Sequence, residues 1–217
     1  MPELKAPATH AEFQYSSPEH QAKAAIAGMW LFIADETLFF GGLIYVWLVN
    51  QWGHPTAYRR AAEHANLLIG SINTLALLTA SLAYTWGLGE VRAGRGRRGY
   101  FGFLVTAALG ALFVLLKLQE WRLDLEDGLG PGSAFSVRGP DWGGMALFYN
   151  FYWAATALHG IHITVGIGLV LWIALGVRRG RYPRSYTTPV EVVGLYWSFV
   201  DIVWLVLYPL IYVVGRL

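Results

Sequence analysis

The sequence predicts an all-α integral membrane protein with five transmembrane helices, its N-terminus inside and its C-terminus outside. Three observations carry that expectation. Of the 217 residues, 55% are hydrophobic and only 14% charged, with a mean hydropathy of +0.42, well outside the balance of a soluble domain. Five stretches are long and apolar enough to cross a hydrocarbon core about 30 Å thick, which takes ~20 residues at 1.5 Å per residue. The connections between them are rich in Gly, Pro and charge, as loops are, and their basic residues are unevenly divided between the two sides.

Residues 1–23, "MPELKAPATHAEFQYSSPEHQAK", are polar and mixed in charge. They lack the basic start and short apolar core of a cleavable signal, so this segment is expected to stay on the cytoplasmic side, ahead of a five-helix domain over 24–217. The first apolar run, 24–49, carries Asp35 and Glu36 at its centre. The second, 66–88, carries Asn73, and the third, 100–118, ends near Lys117 and Glu120. The fourth, 145–177, is long enough for marked tilt or for extension beyond the bilayer, and its "HGIHITVG" places His159 and His162 at mid-span. The fifth, 190–214, opens on Glu191 and holds Asp201 at its centre. The intervening stretches 50–65, 89–99, 119–144 and 178–189 read as loops, with no room for a soluble domain, and no internal repeat suggests inverted transporter halves.

Basic residues set the orientation. With the N-terminus inside, that side holds Lys5, Lys23, Arg92, Arg95, Arg97, Arg98, Arg178, Arg179, Arg181 and Arg184, against Arg59, Arg60, Arg122, Arg138 and Arg216 outside. Ten against five favours N-in and C-out. The chain has no cysteine, which excludes disulfides, thiolate metal sites, iron–sulfur clusters and covalent c-type haem attachment. A formal charge of +2 gives no basis for nucleic-acid binding.

Ionisable groups at bilayer depth must face protein or water, and each is a functional hypothesis. Residues three and four apart share a helical face. That spacing aligns Tyr152, Thr156, His159, His162 and Gly166 in the fourth run, and Glu191, Gly194, Ser198 and Asp201 in the fifth. Both stripes are expected to face the interior, with the Ser198 hydroxyl donating to Asp201. Asp35 and Glu36 are about 100° apart on a helix, so one of them must look toward a neighbouring helix or subunit. The histidine pair leaves several readings open: metal ligands with Glu36 or Asp201 as third donor, a proton relay, or neutral imidazoles hydrogen-bonded across helices or to lipid head groups. Two residues on one helical turn cannot grip opposite faces of a haem iron. The working expectation is a chain with no metal and no catalytic residue of its own.

Four segments together resemble a known family. "GMWLFIADETLFFGGL" (28–43), "INT" (72–74), "HGIHITVG" (159–166) and "VEVVGLYWSFVDIVWLVLYPLIYVVG" (190–215) resemble subunit III of the haem–copper oxidases, the cytochrome c oxidase and quinol oxidase superfamily, in its shorter five-helix form. The resemblance implies a non-catalytic subunit of a proton-pumping terminal oxidase of aerobic respiration, in the plasma membrane of a prokaryote. Haem and copper would sit in partner subunits. Oxidase subunit I is the main expected contact, with subunit II and further respiratory-complex subunits beside it and phospholipid bound. It further implies that the subunit supports proton uptake into subunit I and protects the oxygen-reducing site from turnover-linked inactivation. Glu36 matches the acid of the first motif, His159 and His162 the H-G-x-H pair, Glu120 the acid closing the third helix, Glu191 the acid opening the last helix and Asp201 its intramembrane aspartate. Of these, Glu36, His159, His162, Glu191 and Asp201, together with Asp35, are the expected lipid and proton-support residues. Two departures stand out: Ser198 replaces a family histidine, and Leu67 and Leu68 occupy the region of a cleft acid that Glu63 is too far away to replace. The alternatives are an accessory subunit of a quinol oxidase or nitric oxide reductase, a small membrane transporter and a membrane metalloenzyme.

Overall fold

A computed structural model describes residues 15–214. Residues 1–14 of the polar N-terminal segment, including Lys5, and Gly215 and Arg216 lie outside the described residues. Helix α1 (Pro18–Gly53) begins six residues ahead of the apolar run, because Ser17 caps it through a hydrogen bond from the His20 amide and Pro18 supplies a preset φ in its first turn. It is followed by α2 (Pro55–His64), α3 (Leu67–Arg92), α4 (Gly96–Glu126), α5 (Trp142–Arg178) and α6 (Thr188–Tyr208), which continues as a π-helical turn over Pro209–Val213. Helices α1, α3, α4, α5 and α6 with its extension are the five that are long and apolar enough to span a membrane.

The stretch 50–65, read from sequence as a loop, is instead mostly helical. Pro55 opens α2, and Ala57, Tyr58, Ala61 and Ala62 form a buried face of one helical stripe. Small residues and the interleaved Arg59, Arg60, Glu63 and His64 mask that face in a search for long apolar runs. Burial pushes the Tyr58 phenol up to about 12. Its ring packs edge-on against Trp47 of α1 and Phe148 of α5. The 119–144 connection is likewise more ordered than a loop: α4 runs on to Glu126, and a Leu129–Phe135 bridge closes a turn that Trp153 fastens through a hydrogen bond to the Leu129 carbonyl.

Helix α6 is the central post. Of its most apolar window 61% is buried, against 11% for α1. Cross-helix hydrogen bonds tie it to its neighbours: Tyr84 of α3 donates to the Val190 carbonyl, Trp204 donates to Thr74 of α3, and Tyr196 donates to the His162 carbonyl of α5. The α3–α4 pair packs closest, where Gly102 lies against the backbone of Ala83 and Gly87; a Cβ there would come within 2.9 Å of both. Small residues permit such approach in an apolar solvent, where van der Waals contact and hydrogen bonds must replace hydrophobic attraction. Thr106 exploits it, donating to the Ala80 carbonyl across the interface. Helix α1 lies on α5 and α6 through ring contacts of Phe32 with Tyr196, Phe40 with His162 and Phe199, and Trp47 with Phe151.

Candidate functional site

At mid-depth, α1 meets α5 through Glu36 and His162. The imidazole Nε2 lies 3.3 Å from Glu36 Oε2, a charge contact that does not satisfy the angles of an aligned hydrogen bond. His162 Nδ1 is 2.8 Å from the Leu158 carbonyl. A carbonyl can only accept, so Nδ1 carries a hydrogen. Nε2 and Oε2 then face each other as two lone pairs unless one proton sits between them. With one proton between them, on nitrogen or on oxygen, the pair as a whole would be neutral, the cheapest state for two ionisable groups in a bilayer. Phe40 packs edge-on to the imidazole and shields one side, while both side chains keep a partial opening, 17% and 18% exposed.

His159, one turn away, is a different object. It is fully enclosed, stacked on Trp204 with Phe113 edge-on, and neither nitrogen finds a hydrogen-bond partner. Asp201 turns toward α3 and accepts from Ser81 at 2.8 Å. Ser198 is exposed, so the expected Ser198–Asp201 bond does not form. The reason is angular: three residues on a helix are offset by about 60°, and α6 at the bundle centre offers Asp201 a partner on the inner side while Ser198 faces out. Of the expected stripe on α6, only Asp201 is fully buried. Glu191 sits at the helix start, held by Arg92 at 2.9 Å and Thr187 at 2.7 Å. Asp35 is exposed, so of the two adjacent acids Glu36 is the one turned inward. The α5 stripe is interior as expected, with Tyr152, Thr156, His159 and Gly166 buried and His162 at its edge.

The densest polar cluster lies one end of the bundle away. Lys117 of α4 is buried and directs its three N–H bonds to Glu120 (3.0 Å), Tyr152 (3.1 Å) and Tyr212 (2.8 Å). Tyr212 in turn donates to Glu120, and Tyr152 donates to Asp124 at 2.7 Å. The ammonium also lies 4.3 Å from the centre of the Tyr152 ring, an additional cation–π attraction. Five side chains from α4, α5 and the final helical turn thus leave no ammonium hydrogen unplaced. Sequence reading placed Lys117 and Glu120 at the boundary but missed the two tyrosines and Asp124; the i, i+3, i+7 spacing of 117, 120 and 124 was the available signal. Among the described residues, no three His, Asp or Glu side chains converge as metal ligands: Glu36 faces His162 alone, and Asp201 is committed to Ser81.

The family model for cytochrome c oxidase subunit III matches residues 8–216. Among similar proteins, cytochrome c oxidase subunit 3 of Thermostichus vulcanus is 30% identical over 194 residues, covering 88% of each chain. Cytochrome c oxidase subunit 3 of Synechocystis sp. is 30% identical over 188 residues, covering 85% of this chain and 73% of its own length. The probable quinol oxidase subunit 3 of Staphylococcus aureus is 25% identical over 201 residues, covering 92% of this chain and 93% of its own.

Proposed function

This chain belongs to the cytochrome c oxidase subunit III family, and from that premise we propose that it is the non-catalytic, N-in and C-out subunit III of a proton-pumping terminal oxidase. It packs on oxidase subunit I beside subunit II, with haem and copper in those partners. The electron donor, cytochrome c or quinol, is bound by a partner and not by this chain. Its own part is support: phospholipid retention, proton uptake by subunit I and endurance of the oxygen-reducing site during turnover.

The observation that carries the supporting role is the contact of Glu36 with His162, two ionisable groups 3.3 Å apart at the partly open edge of the bundle. Such a pair can exchange a proton, or hold a lipid head-group amine beside the carboxylate, without a metal, and while it shares one proton it places no net charge in the bilayer. His159 and Asp201 stand behind it as interior packing groups, Glu191 anchors the start of α6, and Asp35 acts from the outer face of α1.

The decisive experiment is affinity purification of the tagged chain from its native membrane. A haem-bearing partner with copper should co-purify in fixed ratio and consume oxygen, while the separated chain shows no haem absorbance. Transport activity of the lone chain in liposomes, or stoichiometric metal removed by His162→Ala, would overturn the proposal. A cysteine at exposed Arg98 tests the orientation: an impermeant reagent should leave it unlabelled in intact cells.

A further inference from the structure

At the end of the bundle where α1 and α6 begin, arginines outnumber the acids that could hold them. Glu90 is bound by Arg95 at 2.6 Å, Glu191 by Arg92 at 2.9 Å and Glu19 by Lys23 at 2.8 Å. Among the described residues, Arg97, Arg98, Arg178, Arg179 and Arg181 are left at this end without a carboxylate. Two of them meet across a groove. Arg97, in the first turn of α4, and Arg178, at the end of α5, line a groove of about 510 Å³ whose other walls are Tyr100, Phe101 and Val177. Phe101 is 52% exposed there. The Arg178 guanidinium lies 5.9 Å from the centre of the Tyr100 ring, a stacking contact that leaves its N–H donors unspent. The first turn of α4 adds to the excess, since no side chain caps it and it holds no acid, although the positive end of a helix dipole favours an anion. Membrane topology asks only that arginines lie on one side. It does not ask that two helices bring them to one groove with an aromatic wall.

We infer that this groove between α4 and α5 is a binding site for an anionic phospholipid, its phosphate held between Arg97 and Arg178 and an acyl chain laid over Phe101. The chemistry selects the occupant. Two guanidiniums without a carboxylate offer forked N–H donors that match phosphate oxygens. No acid lines the groove to hold an amine or choline, so a lipid with net negative charge is preferred over a zwitterionic one. A free phosphate would leave Phe101 uncovered, whereas a lipid occupies the charged and the apolar wall together. The depth agrees, because Arg97 and Arg178 stand just outside the apolar runs 100–118 and 145–177, at the level of the head groups. This site differs from the α1–α5 edge, where the Glu36 carboxylate invites an amine. It rests on the chain spanning a membrane and not on the oxidase reading.

The test uses the chain purified with its partners and reconstituted into vesicles of phosphatidylcholine in which phosphatidylglycerol is about one lipid in five. The photoreactive p-benzoylphenylalanine is introduced at Phe101 and, as a control, at Leu82 of α3. Leu82 is 71% exposed, and its neighbour Ala83 lies against Gly102, which sets it at the depth of Phe101. After irradiation, mass spectrometry should find a ratio of phosphatidylglycerol to phosphatidylcholine adducts about twentyfold higher at Phe101 than at Leu82, roughly fivefold for each cation. Arg97→Gln and Arg178→Gln should each lower that ratio about fivefold and together bring it to the Leu82 value, which itself should not move. Inorganic phosphate at equal ionic strength should leave the ratio unchanged. Where a glutamine variant fails to assemble, Arg97→Lys with Arg178→Lys keeps both charges for topology but loses the planar forks, and should still lower the ratio about twofold or more. A Phe101 ratio equal to that at Leu82, a ratio that the substitutions do not move, displacement by inorganic phosphate, or adducts only to polypeptide overturns the inference.

Discussion

The two buried polar sites of this bundle handle charge in opposite ways. Around Lys117, a cation, two carboxyls and two phenols are joined through six contacts made by five donated hydrogens, the Tyr212 hydroxyl reaching both Glu120 oxygens; every ammonium hydrogen has an acceptor, and three helical elements are joined. At Glu36 and His162 two side chains meet at 3.3 Å and keep a partial opening. The first arrangement has one low-energy state, since moving any member strands a buried partner. In the second, a proton between the two can rest on either atom with the same net charge, as a neutral acid beside a neutral imidazole or as a carboxylate beside an imidazolium. Rigidity belongs at the end of the bundle where α4, α5 and the π-helical turn Pro209–Val213 are held together, and adjustability at the edge where Glu36 and His162 keep a partial opening.

The comparison breaks most visibly at Lys117. Lys117→Met keeps the side-chain length but removes the cation from Glu120, which then lies buried near Asp124 with the Tyr212 phenol as its remaining hydrogen-bond donor. Removing one member of a buried charge pair typically costs about 3 to 5 kcal/mol. The expected outcome is loss of assembled complex, or in detergent a markedly lower midpoint for thermal loss of helicity. A variant that assembles and melts like the parent would show that the six contacts contribute little and that the two sites do not differ in kind.

Glu36→Gln should behave in the contrasting manner. The amide can still donate toward Nε2, and intramembrane hydrogen bonds average only ~0.6 kcal/mol in measured cases, so the change in stability should stay below about 1 kcal/mol. What disappears is the transferable proton. Haem spectra and initial oxygen consumption should be near those of the parent, followed by faster decay over repeated turnovers. Unchanged decay, with unchanged lipid content, would reduce Glu36 to a helix-packing residue.

How far these sites could be read from sequence follows from what each depends on. The five spans were legible because ~20 apolar residues have few other uses, and the interior stripe of α5 because period 3.6 fixes which residues share a face. Helix α2 was hidden by its length and by alanines, which bury well yet leave no long apolar run. The partner of Asp201 was not legible, since Ser81 lies 120 residues away and only the crossing of α3 and α6 brings it near. The choice between Asp35 and Glu36 was half legible. Their 100° offset required that they diverge, but only the packed position of α5 decides that Glu36 turns inward. Of the Lys117 cluster, Lys117 and Glu120 were legible at the end of a span, but the closed network was not, because Asp124 falls in a stretch that reads as a loop and the tyrosines come from other helical elements.

The smallest expected effect is at Ser198, the place where this chain departs from the family histidine. Its hydroxyl does not serve Asp201, which takes its hydrogen bond from Ser81, and it lines a groove of about 360 Å³ between α1, α3 and α6 with Trp30, Thr85 and Leu195. Ser198→His therefore fills open space, and exposed substitutions away from packing contacts usually stay within ±0.5 kcal/mol. Assembly and melting should be unchanged. If α1 is held mainly from outside this chain, an imidazole in this groove will not displace it, and a cysteine placed at Leu31 should keep its exposure. If α1 is instead held by this chain alone, the added ring beside Trp30 should alter the exposure of a cysteine placed at Leu31. The substitution thus separates a helix clamped from outside from one clamped from within, at a position where the stability of the bundle does not interfere.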